Sequence, residues 1–184
     1  MRAELVVLPS LLAGAALLLA APSAPAAEEQ KANPVYKAQA VLKDASGKQV
    51  GTAIFTATPS GALLDLKLIA VPPGVHALHI HAVGKCDPPD FKSAGPHFNP
   101  DQTKHGIMNP EGPHAGDLPN IHVPADGKLE VELLDPVVTI AQDAALLDAD
   151  GSSIVIHAGP DDYKTDPAGN SGNRIACGVI TAAP

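Results

Sequence analysis

Six histidines and one aspartate between residues 79 and 157 constrain this 184-residue chain more than any other feature. They are His79, His81, His97, His105, His114, Asp117 and His157. Residues two apart on a β-strand face the same side, so His79 and His81 would present their imidazoles together. Imidazole binds copper, zinc, iron and nickel, and a carboxylate joins readily in a tetrahedral zinc site. The fold is therefore expected to gather distant segments around two metal ions.

Short β-strands, not helices, are predicted for most of the chain. Alternating apolar residues and β-forming runs are separated by turn signals such as Ser60-Gly61 and Pro72-Pro73-Gly74. We predict eight strands, at residues 36–43, 49–57, 63–71, 75–81, 118–123, 128–134, 152–157 and 175–181. Residues 141–147 fit either a short helix or an arm. The predicted fold is all-β, an eight-stranded antiparallel Greek-key sandwich or barrel of immunoglobulin-like type with two long functional loops.

The two long loops are predicted at residues 82–116 and 159–173, where the strand pattern stops and glycine and proline accumulate. A structureless segment of this length inside a compact domain is usually functional. The first loop also carries Cys86 and the candidate ligands His97, His105 and His114. Metal ions and a disulfide would supply the order that secondary structure does not.

The N-terminus predicts export. Residues 1–26 combine a positive Arg2, an apolar run at 5–21 and a small-residue cleavage pattern at Ala24-Pro25-Ala26. The alternative is an uncleaved membrane anchor, for which the apolar run is short. Residues 27–36 read as a flexible N-terminal arm, and residues 37–184 as one domain. The mature chain is expected to be periplasmic or secreted, without membrane insertion.

Export bears on the two cysteines and on the partners. Cys86 and Cys177 form an even pair 91 residues apart, and in an oxidising compartment we expect them to form a disulfide; two buried thiols are the alternative. A formal net charge of −8 argues against nucleic acid as a partner. Whether the chain is a monomer or a homodimer stays open.

Several segments resemble the copper/zinc superoxide dismutases, and specifically their exported bacterial branch. The resemblance extends over roughly residues 36–182 and is carried by the segments 74–81, 91–100, 105–106, 109–120, 156–157 and 169–180. The first of these reads GVHALHIH, the second FKSAGPHFNP and the last GNSGNRIACGVI. A lone His-x-His motif would be weak evidence for this family, whereas the whole set of segments in this order is specific for it.

The resemblance implies two metal sites that share one residue. Copper would be bound by His79, His81, His97 and His157, and zinc by His97, His105, His114 and Asp117. His97 would bridge the two, since an imidazole has nitrogens on opposite sides of its ring. Superoxide would alternately reduce and reoxidise the copper, giving dioxygen and hydrogen peroxide, and His97 would help to deliver a proton.

The resemblance also implies roles for residues that bind no metal. Arg174 would stand at the channel mouth and attract the superoxide anion despite the negative net charge. Lys92 is a second steering candidate and Lys164 a weaker one, with an ordinary solvated lysine as the alternative for both. Asp161 would accept hydrogen bonds from the ligands His79 and His105.

Five further residues depart from the family pattern or lie outside the candidate sites. Ala77-Leu78 replaces the usual Gly-Phe, which adds a methyl group beside the strand with the first two ligands. Ala168 stands where a serine or threonine is frequent, so a hydroxyl at the channel mouth is missing. His76 is expected to be a packing residue bonded to backbone, and His122 to be exposed.

Two other functions are alternatives to superoxide dismutation. A protein of the same fold could store or pass copper without turnover, but relatives with such roles typically lack a copper ligand or the arginine. A zinc hydrolase is disfavoured, because no motif places a general base beside an open zinc position.

Overall fold

The computed structural model describes residues 36–141 and 145–183. The predicted signal segment lies outside the described residues, as does the arm apart from Tyr36. Nine β-strands are described: β1 Lys37–Asp44, β2 Gln49–Thr58, β3 Gly61–Leu68, β4 Gly74–His76, β5 Leu78–His81, β6 Ile121–Val123, β7 Leu129–Asp135, β8 Ser152–His157 and β9 Arg174–Ala182. In this part of the chain no helix is long and apolar enough to cross a membrane.

The strands are amphipathic in the way their sequences predict. In β1 and β3 every second residue is buried, as with Ala38, Ala40 and Leu42 in β1. Strand β8 is buried along its whole length, because Ile154 and Ile156 face the main core while Val155 faces a second cluster beneath the first long loop. Strand β8 therefore contributes side chains to the hydrophobic clusters on both faces of the sheet.

All described strand pairs are antiparallel. Seven strands form one sheet in the order β5-β8-β9-β1-β2-β3-β7, and β4 pairs with β6. Strands from both ends of the large sheet contribute to one hydrophobic core, Leu78 and Ile80 from β5 and Val131 from β7. The sheet therefore curls around that core, which confirms the predicted all-β antiparallel Greek-key class.

The strand count was wrong by one. The predicted strand at 75–81 is divided at Ala77, whose N–H donates to the Gly159 carbonyl at 2.9 Å and whose carbonyl accepts from the His157 N–H at 3.0 Å. The predicted strand at 118–123 begins only at Ile121. The predicted helix or arm at 141–147 lies partly outside the described residues; its described end forms a 3-10 turn at Ala145–Leu147.

The long loops cover the outer face of β5, β8 and β9. In these strands His79 pairs with Val155, His81 with Ser153 and His157 with Arg174, so all three histidines lie on the face opposite the main core. A disulfide between Cys86 and Cys177 ties the first long loop to β9. The expected cysteine pair is thus present, and it holds the loop over the strands that carry the histidines.

Candidate metal centre

Four histidines converge on one point, three from strands and one from the first long loop. His79 and His81 come from β5 and His157 from β8, while His97 is held by backbone pairing with His81. All four side chains are buried, and one ring nitrogen of each lies within 4.8 Å of those of the other three. Distant segments are thereby brought together as the sequence predicted.

The outward nitrogens of the three strand histidines are each held by a protein acceptor. The Nδ1 atom of His81 lies 2.9 Å from the Gly95 carbonyl oxygen, and Nδ1 of His157 lies 3.2 Å from that of Gly172. For His79 the held atom is Nε2, which lies 2.7 Å from Asp161 Oδ2. These contacts fix each ring and leave one defined nitrogen facing inward.

The inward nitrogens have the properties of metal donors. His79 Nδ1 and His97 Nε2 are buried without any hydrogen-bond partner, and His81 Nε2 lies 3.4 Å from His157 Nε2. A buried polar atom without a partner is costly and demands an explanation. Four imidazole nitrogens aimed at one point fit a copper ion, so these residues fit the first of the two expected metals.

The second set surrounds Asp117, in the segment that leads into β6. Its Oδ1 atom lies 2.9 Å from His97 Nδ1 and 3.0 Å from His105 Nδ1, and His114 Nδ1 lies 3.3 Å from His97 Nδ1. The other carboxylate oxygen accepts from the backbone N–H groups of Gly106 and His114. Three nitrogens and one carboxylate oxygen fit a closed tetrahedral zinc site.

His97 and Asp161 connect the two sets. His97 directs Nε2 toward the all-histidine set and Nδ1 toward the set with Asp117. The buried Asp161 carboxylate accepts from His79 Nε2 at 2.7 Å and lies 3.0 Å from His105 Nε2. The cluster of His79, His105 and Asp161 is thus explained by contacts behind the donors and needs no third metal.

Protonation differs between the two sets. Burial lowers the pKa of His79 to about 4, of His81 to about 2 and of His157 to about 3. These imidazoles are therefore neutral near neutral pH, which metal binding requires. Burial also disfavours charge on His105, but hydrogen bonds to Asp117 and Asp161 outweigh it and raise its pKa to about 9. Within the second set His105 therefore favours the protonated form without metal, whereas burial lowers the pKa of His114.

A cavity of about 740 Å³ opens onto His81, His97 and His157. Arg174 lies in its wall, half-buried, and its guanidinium donates to the carbonyls of Phe91 and Gly95, both at 2.7 Å. The arginine is therefore fixed by the first long loop beside the all-histidine set. A guanidinium held in this way is suited to binding a small anion.

The two candidate steering lysines, Lys92 and Lys164, do not line this cavity. Lys92 pairs with Asp90 at 2.9 Å and lines a separate hollow on the other side of Arg174, and the exposed Lys164 does not line the cavity. Lys104, which the sequence analysis missed, lies in the cavity wall. Its position directly before the candidate ligand His105 was the available signal.

The departures from the family pattern are accommodated locally. Ala77 and Leu78 are fully buried, and Ala168 lines the cavity with no hydroxyl, as expected. Both ring nitrogens of the buried His76 lie 2.8 Å from carbonyl oxygens, of His157 and Pro72. His122 is exposed on β6. These two histidines therefore stand apart from the metal centre.

A comparison with protein families matches residues 49–180 to the copper/zinc superoxide dismutase family. The chain belongs to this family. Members of the copper/zinc superoxide dismutase family are oxidoreductases that act on superoxide and use copper and zinc, and this chain is an enzyme of that class.

Known relatives of the family agree with the match. The chain is 52% identical over 147 residues to superoxide dismutase [Cu-Zn] 1 of Aquifex aeolicus (strain VF5), covering 78% of this chain and 87% of the relative. It is 50% identical over 147 residues to a superoxide dismutase [Cu-Zn] of Caulobacter vibrioides, covering 78% and 84%.

Solved structures of family members support the fold. A crystal structure of a superoxide dismutase-like protein from Bacillus subtilis superposes with a TM-score of 0.73 at 41% identity, covering 77% of this chain and 96% of that one. The Cu/Zn superoxide dismutase of Brucella abortus gives a TM-score of 0.66 at 30% identity, covering 79% and 99%. The family fold thus extends over nearly the whole of each solved chain.

Proposed function

We propose that the chain dismutes superoxide to dioxygen and hydrogen peroxide at a copper ion bound by the four convergent histidines. The observation that carries this proposal is the inward nitrogen of each, two of them buried without a partner. Copper would be bound by His79 Nδ1 and by Nε2 of His81, His97 and His157. A donor set made only of nitrogen atoms suits a copper ion better than it suits a structural zinc ion in a closed site.

Zinc would be bound by His97, His105, His114 and Asp117. The donors are three Nδ1 atoms and one carboxylate oxygen, all within 4.8 Å of one another. Four protein donors leave no open position for substrate, which disfavours the hydrolase alternative. Zinc would order the first long loop, and His97 would serve both metals through its two nitrogens.

The reaction consumes two superoxide anions and two protons and yields one dioxygen and one hydrogen peroxide. Bound copper would supply the alternating one-electron oxidation and reduction. His97 Nε2 would carry a proton only while it is not bound to copper, and it would then hold that proton facing the all-histidine set. A proton held there is positioned for donation to the reduced substrate.

Arg174 would draw the anion into the cavity and hold it beside the copper ligands. Its two donors to Phe91 and Gly95 leave the remaining N–H groups of the guanidinium available. A local positive charge in a low-dielectric cleft raises the encounter rate of a small anion even when the net charge is negative.

We also infer that the enzyme acts outside the cytoplasm, in the periplasm or after secretion. The signal-like pattern at 1–26 and the Cys86–Cys177 disulfide support this location, because disulfides persist in oxidising compartments. Residues 37–184 would then be the mature catalytic domain.

Activity measured with defined metal content tests the proposal. The purified domain should dismute superoxide only when it contains copper, and not when it contains zinc alone. His157→Ala removes a donor of the copper set only, and His114→Ala one of the zinc set only. We expect His157→Ala to lose more than roughly 100-fold in activity while still binding zinc, because loss of a ligand exceeds the effect of losing a residue that only orients one.

The His114→Ala variant is the matched control. It should lose zinc yet still take up copper, which separates the two donor sets. Full copper and zinc occupancy in the wild type with no turnover would contradict the proposal and indicate a copper-binding protein instead.

A further inference from the structure

We propose that Tyr163 is a positioning residue that holds Asp161 and His105 together and thereby sets how tightly the zinc site retains its ion. The inference rests on the proposed zinc ligands. Tyr163 follows Asp161 by two residues, in the loop between β8 and β9, and it binds no metal donor directly. Its backbone N–H, backbone carbonyl and hydroxyl form hydrogen bonds with Asp161, Met108 and Asn120, respectively.

The backbone N–H of Tyr163 donates to Asp161 Oδ1 at 2.6 Å. That oxygen also lies 3.0 Å from His105 Nε2, while the other carboxylate oxygen accepts from His79. Tyr163 therefore fixes the rotation of the carboxylate that joins the two histidines. Contacts of this kind orient metal-binding rings and raise their affinity for the ion.

The carbonyl of Tyr163 holds the chain that follows His105. It accepts from the Met108 N–H at 3.0 Å, and Gly106 packs so closely that a Cβ there would overlap this oxygen. Any other residue at Gly106 would displace the two segments. The carbonyl thus fixes the segment that carries His105 against the loop that carries Asp161.

The hydroxyl of Tyr163 completes a closed set of hydrogen bonds with Asn120. It accepts from the Asn120 backbone N–H at 2.7 Å. The Asn120 side chain in turn donates to the Asp161 carbonyl at 2.9 Å and accepts from the Asp161 N–H at 2.8 Å. The tyrosine ring therefore supports Asp161 from a second direction.

The backbone of Tyr163 is itself strained, with φ at +64°. A bulky residue rarely adopts this left-handed conformation, and strain of this kind persists only where the surroundings enforce it. The conformation lets the N–H turn to Asp161 while the carbonyl turns to Met108. The strain is therefore explained by positioning.

Tyr163→Phe is the direct test, because it removes only the hydroxyl. We expect zinc release from the fully metallated protein into excess chelator to accelerate roughly tenfold, in line with the effects of residues that orient ligands. The absorption spectrum of cobalt placed in the zinc site should also change in shape or intensity. Tyr36→Phe is the matched control, since the chain's other tyrosine is 38% exposed and lies before β1, outside both donor sets, and it should behave as wild type.

The readouts separate positioning from a general loss of stability. A merely structural role for the hydroxyl would lower the unfolding midpoint of the metal-free protein without altering the cobalt spectrum or the rate of zinc release well below that midpoint. Wild-type zinc release and a wild-type cobalt spectrum in Tyr163→Phe would overturn the inference. Unchanged zinc binding in His114→Ala would instead show that the proposed ligand set is wrong.

Discussion

At the scale of single residues, we expect the fixed charge of Arg174 to govern how an anion enters the cavity. The guanidinium of Arg174 is fixed beside the proposed copper ligands, because it donates to two backbone carbonyls of the first long loop. We expect Arg174→Ala to lower kcat/KM for superoxide about tenfold or more, within the range of steering effects. Arg174→Lys should retain part of the rate, since it keeps the charge but not the fork. Stopped-flow rates measure both.

Two lysines near Arg174 provide control variants for this prediction, because only one of them lines the cavity. Lys104 lines the cavity but lies 3.6 Å from Asp166, whereas Lys92 lies in the neighbouring hollow and pairs with Asp90. Lys104→Ala should slow the enzyme slightly, and Lys92→Ala should not. The wild-type rate should fall as added salt screens these charges. A loss in Lys92→Ala equal to that in Arg174→Ala would contradict steering through the cavity.

The candidate donors and the carboxylate of Asp161 behind them could be named from the sequence, whereas the placement of the lysines and of Tyr163 could not. Each candidate donor is a histidine or aspartate in a distinctive local pattern, so the sequence alone predicts that it binds a metal ion. Whether Lys92 or Lys104 faces the cavity depends on the path of a loop without repeating structure. The left-handed backbone of Tyr163 was equally hidden, since nothing in the residue type favours it.

At the scale of elements, the first long loop depends on its covalent tie to β9. The Cys86–Cys177 disulfide joins the loop to the strand that begins with Arg174, and the same loop supplies the arginine's two acceptors. Replacing both cysteines by serine frees a loop with a sequence separation of 91 residues. We expect the free energy of unfolding to fall by about 2–5 kcal/mol. Urea denaturation of the metal-free protein measures this change.

The same double variant should lose dismutation rate while still binding copper, because Arg174 loses part of its support but the copper donors remain. Chemical reduction of the wild type serves as the comparison, since it breaks the bond without changing the sequence. Equal unfolding midpoints for the oxidised wild type and the double variant would show that the tie contributes no stability.

The division of one predicted strand shows why the elements were only partly predictable. The sequence through residues 74–81 gives no turn signal after Gly74, so local pattern alone predicts one strand. Ala77 leaves the pairing because its backbone groups bond to Gly159 and His157, more than 75 positions away. Such a contact follows from the packed fold and cannot be read locally.

At the scale of the whole molecule, the buried histidines make the metal-free protein sensitive to acid. In the unfolded chain a histidine has a pKa near 6.5. Burial holds the pKa of His79, His81 and His157 at about 4, 2 and 3 in the folded chain. Below about pH 6.5 the unfolded state therefore takes up protons that the folded state does not. The free energy of unfolding then decreases as the pH is lowered.

Other groups of the centre do not cancel this slope. His105, with its pKa raised to about 9, is protonated in the folded state throughout this range, and well below pH 6.5 it is protonated in the unfolded state too, so its contribution to the slope vanishes there. Urea unfolding of the metal-free protein, followed by circular dichroism, should show the free energy of unfolding falling by at least about 1 kcal/mol per pH unit between about pH 6 and pH 5. A constant unfolding midpoint over that interval would contradict the buried neutral state of the three rings.

The carboxylate of Asp161 has a further consequence, because it bonds to a donor of each proposed metal site. A change that one ion made in the orientation of this carboxylate would be transmitted to a ligand of the other ion. Thermodynamic reciprocity then requires that zinc alter the affinity for copper by the same factor by which copper alters the affinity for zinc. The two ions would share a single coupling free energy, and neither binding constant would be a fixed property of its own site.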